Sequence, residues 1–306
     1  MPNWSNILDQ IQIKKTQNPV DMLRHKYLDI MHQYTHRNII AYYSGWLQKS
    51  SGPVAIDDND KNAFMQAVHQ LDKSKGLDLL LHTPGGNLAA TESIVNYLKQ
   101  IFGNDIRAFV PQIAMSAGTM IALSCKEIVL GKQSNIGPID PQYGLVSCAA
   151  VVEEFKQALA DITQNSQAML VWRPILEQYH PTYIGECQKG IEWADRMVKQ
   201  WLIENMLSDR EDKEQKADAI ASALGNHSET KTHARHIHID ECESMGIKVQ
   251  HLETLMPGIV IDDCNDLQDC VLTIHHTYMH TFASTTAIKI VENHLGKAMI
   301  TMHGSK

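Results

Sequence analysis

Ser116 stands in the run Ala114-Met115-Ser116-Ala117-Gly118, directly after the segment 106–113, which reads as a strand. A serine on a tight strand-to-helix turn between small residues exposes its hydroxyl. A helix that begins just behind it aims N–H groups and a positive dipole end at that oxygen. Serine hydrolysis requires this arrangement: a free Oγ, and two N–H donors for the oxyanion of a tetrahedral intermediate. A second turn, His82-Thr83-Pro84-Gly85-Gly86, closes the apolar run 77–81, and its glycines let a ligand approach the backbone closely. Read alone, these residues fit a plain helix N-cap at Ser116 and an ordinary turn at Gly85-Gly86 equally well. His82 could touch substrate or bond to backbone. His276 and His280 have the i,i+4 spacing of a metal pair, but no HExxH pattern accompanies them, which favours packing or surface roles. Trp172, Trp193 and Trp201 read as core or oligomer contacts.

The elements that must position these turns follow from periodicity. Residues 1–35 read as helical, with Asp21 as a cap, and 38–47 as a strand rich in branched and aromatic side chains. Asp57 to Asn59 offer capping groups for a helix running to Leu71. Strands are predicted at 77–81, 106–113 and 127–130, with helices at 91–102 and 119–124 between them. Strands alternating with helices imply βαβ units, a mostly parallel sheet and right-handed crossovers. Both candidate turns then lie at the C-terminal ends of strands, where open α/β sheets carry their sites. Amphipathic helices are expected within 150–224, a strand at 247–252, and further helix over 267–295 with a turn near Ser284.

The chain has 306 residues, 43% of them hydrophobic, and a net charge of -8, which argues against a general binder of nucleic acid or anionic membrane. Its six cysteines form no CxxC pair, so a zinc ribbon is not expected. The beginning Met1-Pro2-Asn3-Trp4 lacks a signal-peptide pattern, and no apolar run nears the ~20 residues of a membrane span. These features point to a reduced, cytoplasmic protein without a metal or organic cofactor.

Thr83-Pro84-Gly85-Gly86 paired with Ala114-Met115-Ser116-Ala117-Gly118 resembles the Clp protease and signal peptide peptidase A superfamily. The nearer resemblance is to the serine dehydrogenase proteinase (SDH-type) family. It runs from about residue 38 to 295 and is most specific at 77–86, 110–122, 134–143 and 232–249. It implies an α/β fold, a ClpP/crotonase-like spiral of ββα units with added N- and C-terminal helices. The corresponding division is a helical segment at 1–37, a catalytic domain at 38–261 and a C-terminal helical segment at 262–306. It also implies a peptide or protein substrate, a homo-oligomer, and an oxyanion hole built from Gly85, Gly86 and Ala117.

A serine needs a base. The loop 134–142 has no histidine where Clp-type enzymes place one, but it contains Asp140. The histidine comes later, in Thr232-His233-Ala234-Arg235-His236. The resemblance thus implies the order Ser116, Asp140, His233: nucleophile, orienting acid and general base. Triads are defined by geometry rather than by chain order. His236 and His238 compete with His233, and Lys156 or Lys189 would serve a Ser–Lys dyad. The same two turns would also suit a crotonase-type acyl-thioester enzyme or a catalytically silent peptide-binding scaffold. A bulky β-branched residue at Gly86 is expected to harm turnover more than folding.

Overall fold

The computed structural model describes residues 19–144, 146–225, 232–262 and 264–304. The helix expected over 1–35 is present as α1 (Pro19–Thr35), and its first 18 residues lie outside the described ones. Asp21 falls in the first turn of α1, inside the helix rather than at its cap.

Strands β1 (Asn38–Ser44), β2 (Leu77–His82) and β3 (Ile106–Val110) are buried along their whole length. That is the mark of strands covered on both faces. After them come β4 (Ile113–Ala114), β5 (Glu127–Leu130), β6 (Asn135–Ile136), β7 (Gln142–Tyr143), β8 (Val146–Ser147), β9 (Val249–His251), β10 (Ala287–Asn293) and β11 (Ala298–Met302). Seven of these form one sheet in the order β11-β10-β1-β2-β3-β5-β9. From β1 to β9 the pairing is parallel, and β10 and β11 add an antiparallel edge.

Side chains alternate between two apolar layers, as the period of a strand requires. Ile40, Tyr42, Leu79 and Leu81 face a core built with α2 (Asn59–Val68), α3 (Leu88–Phe102) and α4 (Ala117–Leu123). Ile39, Ala41, Tyr43 and Leu80 face the other way, onto α1 and α10 (Leu267–Ser284). α3 is capped by Asn87, whose side chain accepts from the Ala90 amide at 3.0 Å.

Between β8 and β9 lie α5 (Cys148–Gln164), α6 (Met169–Leu176), α7 (Tyr183–Trp201), α8 (Lys213–Gly225) and α9 (Ile239–Met245). α7 and α8 join the first core through Met197, Val198, Trp201, Ile220 and Leu224. Trp193 packs partly buried beside them, and Trp172 donates to Asp161 Oδ2 at 3.0 Å. α5 and the start of α7 make a small core of their own around Cys148, Val151 and Cys187. All six cysteines are free and buried.

The turn expected near Ser284 is present, but the helix expected beyond it to 295, and a wholly helical C-terminal segment, need correction. The helix ends at Ser284, and 287–302 turn back as β10 and β11. β10 carries Lys289 and Glu292, both fully buried, which obscures it as a strand. Lys289 bonds Asp60 and Asp57, while Glu292 is held by Arg24, His25 and Tyr278. Buried charges are tolerated only with such partners.

Two histidines are buried in the second layer. Burial holds His82 far below the usual imidazole range, at about 3, and it lowers His275 strongly as well. Both are therefore neutral in the fold but take up protons in the unfolded chain below about pH 6.5. Stability from His82 is complete above that pH and is lost as pH falls toward 3, and His275 acts in the same direction. His82 contributes about 1.4 kcal/mol per pH unit in that window. Urea unfolding at pH 7 and pH 5 is expected to show a loss of about 2 kcal/mol from His82 at the lower pH. His82→Phe should flatten the dependence, and an unchanged slope would remove His82 as its source.

Candidate active site

Ser116 sits between β4 and α4 with φ 51° and ψ −117°. A non-glycine residue in that region is strained, and such strain persists only where the surroundings hold it. The Thr83 carbonyl accepts from the Met115 amide at 2.9 Å, and the Thr83 amide donates to the Ile113 carbonyl at 3.3 Å. The glycine turn is thereby stitched to the nucleophile turn. A Cβ on Gly118 would come within 2.5 Å of Thr83 Cγ2, so only glycine lets them close.

Gly85 has φ 93°, and a Cβ there would lie 2.7 Å from Ser116 Cβ and 2.8 Å from the Ala117 nitrogen. Its own amide donates to Thr83 Oγ1 at 3.2 Å. Among the described residues no hydrogen bond engages the amides of Gly86 or Ala117. Gly86 faces elsewhere: a Cβ on it would fall 2.3 Å from the Ile56 nitrogen. The Ile56 amide donates to Gly85 at 2.8 Å, and Asn87 donates to Ile56 at 2.9 Å. A bulky residue at Gly86 therefore displaces the Ile56 backbone and costs stability, which overturns the expectation of a selective effect on turnover. Gly85→Ala is the more direct probe of the site. We expect it to slow acylation of Ser116 by on the order of 100-fold or more, measured as the rate of covalent labelling. An unchanged rate would separate this loop from the chemistry.

Asp140 follows β6 in a loop held from three sides. The Gly137 amide donates to Thr119 Oγ1 of α4 at 2.9 Å, the Ile139 amide to Leu224 at 3.0 Å, and Ile136 exchanges backbone bonds with Ile237. The last bridge draws 232–238 alongside. There His233 Nδ1 meets Asp140 Oδ1 at 2.7 Å, with Asp140 1% exposed and His233 19%. Nδ1 donates and the carboxylate accepts, which leaves the proton-accepting lone pair on Nε2.

His233 lines a cavity of about 540 Å³ together with Pro84 and Met115, the chain neighbours of Gly85 and Ser116. Trp46, Val146 and Ala150 complete its apolar wall, and His236 borders it too. Trp46 escaped notice in the sequence. The available signal was its place just after β1, at the same strand ends as the two turns. Lys189 is exposed and paired with Glu186 at 2.9 Å; Lys156 is exposed on α5, and neither lines this cavity.

His82 fulfils neither role considered for it. It is fully buried among Tyr43, Trp46 and His275, with no hydrogen bond at either ring nitrogen among the described residues. His275 and His280 are buried on α10, and among the described residues no group of three potential ligands is arranged around a metal ion.

The family profile of ClpP-like SDH-type serine proteinases matches residues 52–262, more than half of the chain. The chain belongs to this family. Its α/β fold, with a mostly parallel central sheet, is the ClpP-like fold of the proteinase family. Two relatives come from Methanocaldococcus jannaschii. Uncharacterized protein MJ0137 is 33% identical over 117 residues, 38% of this chain and 40% of the relative. Uncharacterized protein MJ1495 is 26% identical over 196 residues, 64% of this chain and 59% of the relative. The matched regions thus span about two fifths and three fifths of those proteins. A solved structure, a mutant of the 1510-N membrane-bound stomatin-specific protease, superposes with a TM-score of 0.41 and 17% identity. That superposition covers 67% of this chain and 81% of the other. No helix among the described residues of this family member is long and apolar enough to cross a membrane.

Proposed function

We infer that this chain hydrolyses peptide bonds through an acyl-enzyme on Ser116, with His233 as general base and Asp140 as the group that orients it. The observation that carries the reading is the bond from His233 Nδ1 to the buried Asp140 carboxylate, in a cavity walled by the neighbours of Ser116. His233 Nε2 takes the Ser116 proton as Oγ attacks the carbonyl carbon, and returns it to the leaving amine. The Gly86 and Ala117 amides receive the oxyanion, and Gly85 admits the scissile carbonyl by lacking a side chain. Water then deacylates the serine, with no cofactor required.

The substrate is a peptide or protein segment, and the working form is a homo-oligomer, as in related ClpP-like enzymes. A Ser–Lys dyad is disfavoured by the exposed positions of Lys156 and Lys189. A crotonase-type or purely binding role would leave the strained serine turn without a use. The test is a fluorophosphonate probe followed by mass spectrometry. Modification of Ser116 alone supports the reading, and an unmodified Ser116 in folded protein overturns it.

A further inference from the structure

Asp140 borders a second cavity, of about 380 Å³, that shares no lining residue with the catalytic one among the described residues. His233 lines only the first cavity, and Asp140 lines only the second. The carboxylate is thus the partition between them. Oδ1 is occupied by His233, but Oδ2 is buried and has no hydrogen-bond partner among the described residues. Buried carboxylate oxygens are almost always satisfied, because leaving one bare forfeits its hydration without return.

The walls indicate what would satisfy it. Ile139, Ile191 and Ala221 are apolar, whereas Glu192 and Asp195 add negative charge, and among the described residues no basic side chain lines the cavity. Asp195 is already paired with Lys199 at 2.9 Å. Glu192 is exposed and forms no ion pair among the described residues. These acids and Asp140 are not arranged as a metal cage. A compact cation on an aliphatic stem fits both the acidic and the apolar parts, with an N–H donor for Oδ2.

We propose that this cavity is a regulatory site for an alkylammonium or alkylguanidinium group, which donates to Asp140 Oδ2 and packs its stem against Ile139 and Ile191. The regulatory part rests on the role assigned to Asp140 above. A cation at Oδ2 neutralises the carboxylate that stabilises the His233 imidazolium, so it slows acylation without entering the substrate cavity. Turnover falls while KM holds.

Agmatine is the probe for a free amine, and acetyl-Gly-Arg-Gly-amide is the probe for an arginine side chain carried by a protein. Calorimetric titration into Ser116→Ala protein reads binding without reference to activity. One-to-one binding is expected, weakened at least tenfold by Glu192→Gln and abolished by Ser222→Trp, which fills the mouth from an exposed position of α8. Neutral butylurea should not bind. The tighter of the two cations identifies the source. In wild type, saturating cation should lower kcat at least tenfold at constant KM. Glu192→Gln and Ser222→Trp should keep their basal kcat and lose this inhibition. Absence of binding to the Ser116→Ala protein, where wild type labels normally at Ser116, overturns the cavity proposal alone. Binding insensitive to both variants overturns it as well. Variant-sensitive binding that leaves kcat unchanged overturns the regulatory coupling.

Discussion

Ser116→Ala is expected to lower peptide hydrolysis by about a million-fold and to abolish fluorophosphonate labelling, with the fold intact. The size follows from removing the only atom that forms the covalent bond; nucleophile deletions in triad hydrolases cost about that much. Residual turnover would come from the oxyanion donors and substrate binding. Stability should barely change, because the serine side chain makes no capping hydrogen bond to α4. Alanine also inherits the same φ of 51°, so backbone strain is equal in the two proteins. Melting curves that coincide, beside a lost activity, are the expected pair of measurements. A variant of undiminished activity would take Ser116 out of the mechanism.

The second large effect concerns the pair behind the serine. Asp140→Asn should reduce turnover by about 10,000-fold, since an amide neither holds the required imidazole tautomer nor stabilises imidazolium. His233→Ala should approach the loss seen at Ser116. His236→Ala is the critical control, because His236 borders the same cavity yet has no carboxylate partner among the described residues. It and His238→Ala should keep most activity, as should Lys156→Ala and Lys189→Ala. Stopped-flow acylation rates across this series decide the matter. If His233→Ala acylates normally while a lysine variant does not, a Ser–Lys dyad replaces the triad.

Much of this arrangement was legible in the residues, for reasons that can be named. Leu77–His82 and Ile106–Val110 are short, mostly apolar segments, each interrupted by one charged residue, Asp78 and Arg107, and followed by turn residues, so β2 and β3 declare themselves, and the two turns declare the site. What stayed hidden depends on tertiary partners. β10 reads poorly because Lys289 and Glu292 are paired with Asp57, Asp60 and Arg24, more than 200 residues away in sequence. β4 and β6 are two residues each, too short for any period, yet their pairing sets the distance between the serine turn and Asp140. The Asp140–His233 contact crosses 93 residues, and only the family resemblance suggested it. Gly86 misled because its turn faces Ile56, a neighbour that no local pattern reveals.

The same 93-residue separation has a consequence in time. A ribosome adds about 5–20 residues per second. His233 therefore emerges roughly 5–20 s after Asp140, once the whole helical stretch from Cys148 to Gly225 has been made. During that interval the serine and its acid exist without a base. On the proposed chemistry, a nascent chain, or one terminated before His233, is inert toward itself and its neighbours, and the enzyme is armed only once that histidine has been made.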